Sequence, residues 1–268
     1  MESWLSGDTC EATSRFAPFF VRDAQDFKRL DKNALITAVA QEIWDDIHSG
    51  AAVEDPSKLQ RFLLICFADL KSHQIFYWFA FPAIVSPRNF LLEAAPRLLS
   101  ACFAPEEISQ LHSSLDRLRL AEASAGRPFC PACFLIVRRS AGADASSAEG
   151  AELNVAPLSE WEHLDEPTRG RALFGFVDPC CREENPGWPL RNFLILLSAR
   201  WGITQARVVC YRGRLARLDG GPPSSVGDFE TGATRKRDRP KSSVSCAHAQ
   251  SFRARASCSM FHSKAALA

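Results

Sequence analysis

The segment Asn185-Pro186-Gly187-Trp188-Pro189-Leu190-Arg191-Asn192 constrains this chain more than any other. Two prolines fix φ on either side of a glycine and a tryptophan, and the second proline stands where a helix begins, at the position that has no use for a backbone N–H. The result is a rigid corner opening a helix over Pro189 to Trp201, whose run Phe193-Leu194-Ile195-Leu196-Leu197 demands burial. Strand-like segments lie before it at Ala172 to Val177 and after it at Arg207 to Tyr211, with a further one at Phe134 to Val137. Strand, helix and strand in alternation predict a mixed α/β (α+β) architecture. Trp188 reads as the plug of the corner, with direct partner contact as the alternative, and Arg191 and Asn192 are placed to cap or pair nearby backbone.

The chain has 268 residues, 46% hydrophobic and 24% charged, which is enough to bury one or two cores. Thirty-two basic and 31 acidic side chains nearly cancel. Pro222 to Ala268 carries 8 basic and 3 acidic residues, which leaves 24 and 28 before it, so an acidic body precedes a basic tail. The body therefore offers no global field for nucleic acid. No apolar run approaches the roughly 18 residues of a membrane span, and Glu2, Asp8 and Glu11 interrupt any leader-like stretch. A soluble, cytoplasmic protein without membrane insertion is expected. The ten cysteines are too dispersed for a small secreted disulfide scaffold and read as thiols.

Leu35, Val39, Ile43 and Ile47 recur every four residues, predicting a helix from Asp31 to a Gly50 stop. Asp55-Pro56 then opens a short helix to about Gln60. Phe62 to Asp69 and Gln74 to Phe81 read as a hairpin around Lys71-Ser72-His73, ended by Pro82. Pro105-Glu106-Glu107 starts another helix, with the core seam Ile108, Leu111, Leu115 and Leu118, up to Gly126. Residues 138 to 151 read as a linker or long loop. Two small α/β subdomains are expected, over 16–125 (lacking a segment near residue 22) and 126–218 (incomplete). A tail over 219–268, where apolar periodicity stops, is expected to be disordered.

In the second hairpin strand, alternation turns Phe76, Trp78 and Ala80 inward and leaves Tyr77, Phe79 and Phe81 for a second layer or a partner. Cys130-Pro131-Ala132-Cys133 has the spacing of half a zinc site or of a redox pair, but no second pair repeats it and a strand follows it instead of a helix. Arg235 to Lys241 holds a basic run suited to a polyanion, although such runs are common in solvated tails. A cysteine-pair redox or zinc protein and a basic-tailed nucleic-acid binder are thus the competing readings. No phosphate-cradling G-x-x-x-x-G-K, G-x-G-x-x-G, G-x-S-x-G or H-E-x-x-H is found.

In order along the chain, Phe16-Ala17-Pro18-Phe19, Glu42-Ile43-Trp44, Phe67-Ala68-Asp69-Leu70-Lys71, Phe76 to Ala83, Asp178-Pro179-Cys180 and Pro186 to Phe193 resemble one family. It is the N-terminal domain of the autophagy ubiquitin-like-modifier-activating enzyme, autophagy-related protein seven. The resemblance runs from about Phe16 to Arg214 and is read to stop there, truncated before the adenylation half. It implies a homodimeric enzyme whose C-terminal half carries the ATP site, a structural zinc and the thioester cysteine. The N-terminal domain in such an enzyme recruits the conjugating enzymes and presents them to that half. For this chain the resemblance implies docking without catalysis: no catalytic residue, no metal and no cofactor. Autophagy conjugating enzymes are its expected partners, together with the catalytic half of the activating enzyme. Tyr77, Phe79, Trp188, Arg191 and Asn192 are the candidate partner-binding residues.

Overall fold

The computed structural model describes residues 19–85, 90–93, 95–126, 132–139, 152–180, 185–213, 224–231 and 244–255. The chain begins with β1 (Phe19–Phe20), α1 (Ala24–Arg29), α2 (Lys32–Ser49), α3 (Ala51–Glu54) and a 3-10 turn at Pro56–Gln60. Next come β2 (Leu63–Asp69), β3 (Gln74–Ile84), β4 (Phe90–Leu92), β5 (Arg97–Leu98), α4 (Leu99–Cys102) and α5 (Pro105–Ser124). β6 (Cys133–Arg139), β7 (Glu152–Ala156), a 3-10 turn at Leu158–His163, α6 (Glu166–Arg169) and β8 (Leu173–Val177) follow. The last elements are α7 (Pro189–Trp201), β9 (Gln205–Tyr211), β10 (Ser225–Thr231) and β11 (Val244–Arg255). This is the mixed α/β class predicted from the alternating segments.

Local chemistry accounts for most boundaries. The Asp31 carboxylate accepts from the Ala34 N–H at 2.9 Å to open α2, and Gly50 stops it at φ 90°, a conformation only glycine adopts cheaply. Pro105 starts α5, and the Glu107 carboxylate accepts from the Ala104 N–H at 2.9 Å. The helix seam is core as read, with Leu111 and Leu115 fully buried.

Contacts divide the chain into two compact units, and each joins segments distant in sequence instead of splitting near Ala125. The first takes described residues 19–37, 62–82 and 246–255 and holds a four-stranded sheet ordered β1-β2-β3-β11. β2 and β3 form the expected antiparallel hairpin, from Leu63↔Ala80 to Asp69↔Gln74. Pro82 does not end β3, which runs on to Ile84. The ladder to β2 stops at Ala80, so the missing proline N–H interrupts no bond to that neighbour.

The second unit, residues 38–61 and 83–245, holds the sheet β4-β10-β9-β8-β6-β7, with β5 also paired to β10. β8 and β9 are parallel, and α7 makes the crossover between them. Period-two alternation sorts the sheet faces. Cys133, Leu135, Val208 and Cys210 pack with Phe193, Leu194 and Leu197 of α7, whereas Phe134, Ile136, Val209 and Tyr211 pack with Leu111 and Leu115 of α5. Helices thus cover both faces. Along edge strand β7, Gln110 and Ser114 of α5 accept from the N–H groups of Leu153 and Val155, at 3.0 and 2.8 Å.

Ser225–Thr231, inside the tail expected to be disordered, forms β10 between β9 and β4/β5. Its buried anchors, Val226 and Phe229, serve opposite faces of the sheet. With one apolar side chain per face the strand has no periodic signature, and the open backbone of β9 supplies what the sequence lacks.

Candidate functional site

The corner before α7 is held from beneath by Asp178, at the end of β8. Its Oδ1 accepts from the backbone N–H groups of Cys180 and Gly187, both at 2.9 Å, and its Oδ2 from Arg212 Nε at 3.1 Å. Arg212 also donates through Nη2 to the Asn185 carbonyl at 3.2 Å, and its own N–H donates to Ser224 Oγ at 3.0 Å. One carboxylate and one guanidinium therefore fix both ends of the loop that leads to Trp188. The approach is so close that a Cβ on Gly187 would lie 2.3 Å from Asp178 Oδ1. Burial pushes the Asp178 carboxyl above its ordinary value of 3.8, against the lowering effects of the Cys180 N–H, Arg212 and the Gly187 N–H.

On this support the three candidate residues of the corner take different roles. Trp188 is half-buried instead of a core plug, because it precedes the first turn of α7 and the core of that helix begins at Pro189 and Leu190. Arg191 is exposed. Asn192, read as a candidate contact residue, is 0% exposed: Nδ2 donates to the Leu59 carbonyl at 2.9 Å and Oδ1 accepts from the Ile84 N–H at 3.0 Å. It ties the start of α7 to the 3-10 turn and to the end of β3, and so positions the corner from inside.

Tyr77 and Phe79 lie on β3, opposite Cys66 and Leu64 of β2, and both are half-buried. Phe79 packs edge-on against Phe81 with ring centroids 4.4 Å apart, and against Phe62 at 5.3 Å, a small aromatic layer on the sheet face opposite Trp78 and Ala80. The hairpin tip is ordered by Asp69, whose carboxylate accepts from the Ser72 hydroxyl at 2.7 Å and from the Lys71 and Ser72 N–H groups. The Ser72 hydroxyl is the first cause that holds Asp69 below its ordinary value. His73 takes the left-handed turn at φ 51°, and Leu70 projects 80% exposed. These residues and the corner belong to different units.

Asp178 and Arg212, the residues that organise the corner, carry a signal only in part. Asp178 stands in the resemblance string Asp178-Pro179-Cys180, but nothing local marks Arg212 as its partner 34 positions on. Of the cysteine pair, Cys133 is buried in the core on β6, and Cys130 lies outside the described residues, as does Arg235 to Lys241. Among the described residues no group of three or more His, Cys, Asp or Glu side chains is placed to hold a metal ion, and no helix is long and apolar enough to cross a membrane.

The pinned proline corner thus sits on a mixed α/β unit with helices on both sheet faces. Residues 23–250 match the family described as "Ubiquitin-like modifier-activating enzyme ATG7 N-terminus", and the chain belongs to that family. The match continues past Arg214, where the resemblance was read to end, and takes in β10. The ubiquitin-like modifier-activating enzyme ATG7 of Gallus gallus is 37% identical over 190 residues, 70% of this chain and 25% of that protein. The ATG7 of Homo sapiens is 35% identical over 192 residues, 71% of this chain and 25% of that protein. The chain thus spans about a quarter of the length of these relatives. The crystal structure of Kluyveromyces marxianus Atg7NTD shares the fold, with a TM-score of 0.54 at 16% identity over 88% of this chain and 71% of that one. The Kluyveromyces marxianus Atg7NTD–Atg10 complex matches with a TM-score of 0.52 at 14% identity over 88% of this chain and 72% of that one.

Proposed function

We propose that this chain is a docking module that recruits conjugating enzymes for autophagy modifier conjugation and performs no adenylation or thioester chemistry itself. The observation that carries the reading is the solved relative of the same fold in complex with Atg10. On this chain the surfaces suited to such work are the aromatic hairpin with Tyr77, Phe79 and the projecting Leu70, and the pinned corner with Trp188 and Arg191. Hydrogen bonds to Asp69 tie the hairpin tip and hydrogen bonds to Asp178 tie the corner, and such preorganisation lowers the ordering cost of association. The catalytic half of an activating enzyme is the second partner in this reading, the cytoplasm is the compartment, and no cofactor, metal or nucleic acid is assigned to the chain.

Isothermal titration of the purified chain with an Atg10-type conjugating enzyme tests the reading. Binding in the micromolar range or tighter is expected, with Tyr77→Ala, Trp188→Ala or Arg191→Ala weakening it roughly tenfold where the residue is a contact hot spot. Absence of binding to Atg10-type and other autophagy conjugating enzymes by folded protein would refute it. ATP–pyrophosphate exchange above background in highly purified chain would refute the noncatalytic part, since no phosphate-cradling motif is found to explain it.

A further inference from the structure

The corner is fixed by Asp178 and Arg212, and what fixes Arg212 lies beside a third strand. β8 and β9 run parallel, and the Asp178 N–H donates to the Tyr211 carbonyl at 2.8 Å where their ladder ends, so Asp178 and Arg212 leave the sheet side by side. β10 runs antiparallel to β9 with Ser225 opposite Cys210, which brings Ser224 to the same end of the sheet. Ser224 is 8% exposed and is held at two atoms. Its carbonyl accepts from the Leu99 N–H at 3.0 Å, at the start of α4, and its Oγ accepts from the Arg212 N–H at 3.0 Å. The hydroxyl thus fixes the backbone of the residue whose side chain holds both the Asp178 carboxylate and the Asn185 carbonyl. Backbone orientation sets where a side chain points, so a tilt at the Arg212 Cα is carried out to the guanidinium at the far end.

We infer that Ser224 is a positioning residue of the corner: it seats Arg212, and through Arg212 it makes the docking geometry at Trp188 depend on β10 being in place. The inference deepens the docking function proposed for the corner and rests on that reading. β10 is seated by one buried apolar side chain on each face, Val226 and Phe229, and by its ladders to β9, β4 and β5. The path from that strand to the corner is short and buried: Ser224 Oγ, the Arg212 N–H, Arg212 Nε, the Asp178 carboxylate and the Gly187 N–H. In a buried hydrogen-bonded network each member orients the next, so removing one acceptor at its start loosens the donor at its end.

Amide hydrogen exchange of the full chain tests the inference, read by NMR at Gly187 and, for reference, at Leu153 and Val155 of β7 at the edge of the same sheet. Ser224→Ala should accelerate exchange at Gly187 roughly fivefold to tenfold, the effect of losing one buried hydrogen bond, and leave Leu153 and Val155 within about twofold. Ser224→Thr keeps the hydroxyl and should restore the wild-type rate. Should the alanine variant melt lower, Ser224→Cys, similar in size but a weak acceptor, carries the same comparison. Unchanged exchange at Gly187 in folded Ser224→Ala would overturn the inference. Equal acceleration at Gly187 and Val155 would do so too, because it marks a loss of overall stability alone. Titration with an Atg10-type conjugating enzyme separates the docking reading, with Ser224→Ala expected to bind roughly fivefold more weakly than wild type. Wild-type affinity in a variant whose Gly187 exchange has risen would overturn the role of Ser224 in docking. No binding by the wild-type chain would refute the docking reading, while exchange still decides whether Ser224 positions the corner.

Discussion

Replacing Asp178 by alanine removes the acceptor for three donors at once: the Cys180 and Gly187 N–H groups at 2.9 Å and Arg212 Nε at 3.1 Å. The Gly187 and Arg212 bonds are buried, and the side chains of Arg212 and Asp178 are 3% and 0% exposed, so water cannot take over. A buried donor left without a partner costs about 1–3 kcal/mol, and an unpaired buried charge about 3–5 kcal/mol. These penalties overlap, and Arg212 keeps the Asn185 carbonyl, so about 4 kcal/mol is expected, equivalent to a fall in Tm of roughly 8–16 °C in a domain of this size. Asp178→Asn keeps an acceptor at Oδ1 and should cost less than half as much. The reason lies in the carboxyl itself: burial holds it above 3.8, so the site favours the acceptor atoms more than the negative charge. The sign for pH follows. A folded-state value raised above the unfolded one contributes stability that is fully present below about 3.8 and lost as pH rises through the raised value, so the wild-type advantage over Asp178→Asn shrinks as pH rises above about 4. Urea unfolding of the three proteins at pH 3.5, 5 and 7 reads both effects. An alanine variant within about 1 kcal/mol of wild type would show that Asp178 pins nothing; an asparagine variant as unstable as alanine would show that the charge pair with Arg212 dominates and that the pH argument is wrong.

Asn192→Leu should destabilise by about 2–4 kcal/mol, because the Leu59 carbonyl and the Ile84 N–H lose their buried partners without gaining water, and denaturant melts measure it. Trp188→Ala should cost only about 2 kcal/mol, roughly half the usual price of a fully buried aromatic, since the indole is half-buried; a loss of 4 kcal/mol or more in calorimetry would return Trp188 to the core. Ser72→Ala should raise the Asp69 pKa toward 3.8, visible in a carbon-detected NMR titration, and leave the melt unchanged.

The local punctuation of the chain was legible without a structure. Asp31 and Gly50 bound α2, Pro105 opens α5, Pro189 opens α7, and Phe62 to Phe81 folds as a hairpin, because caps, proline geometry and apolar periodicity act over a few residues and leave their trace in order along the chain. The aromatic strand and the proline corner were visible for the same reason. Only the tertiary structure could decide what joins across distance. β10 holds just one apolar anchor per face and becomes a strand because β9 offers it a backbone ladder. Pro82 continues β3 because the ladder to β2 has already ended. Asn192 and Asp178 look from their neighbours like surface polar residues, yet both are buried, since their partners Leu59, Ile84 and Arg212 stand 133, 108 and 34 positions away.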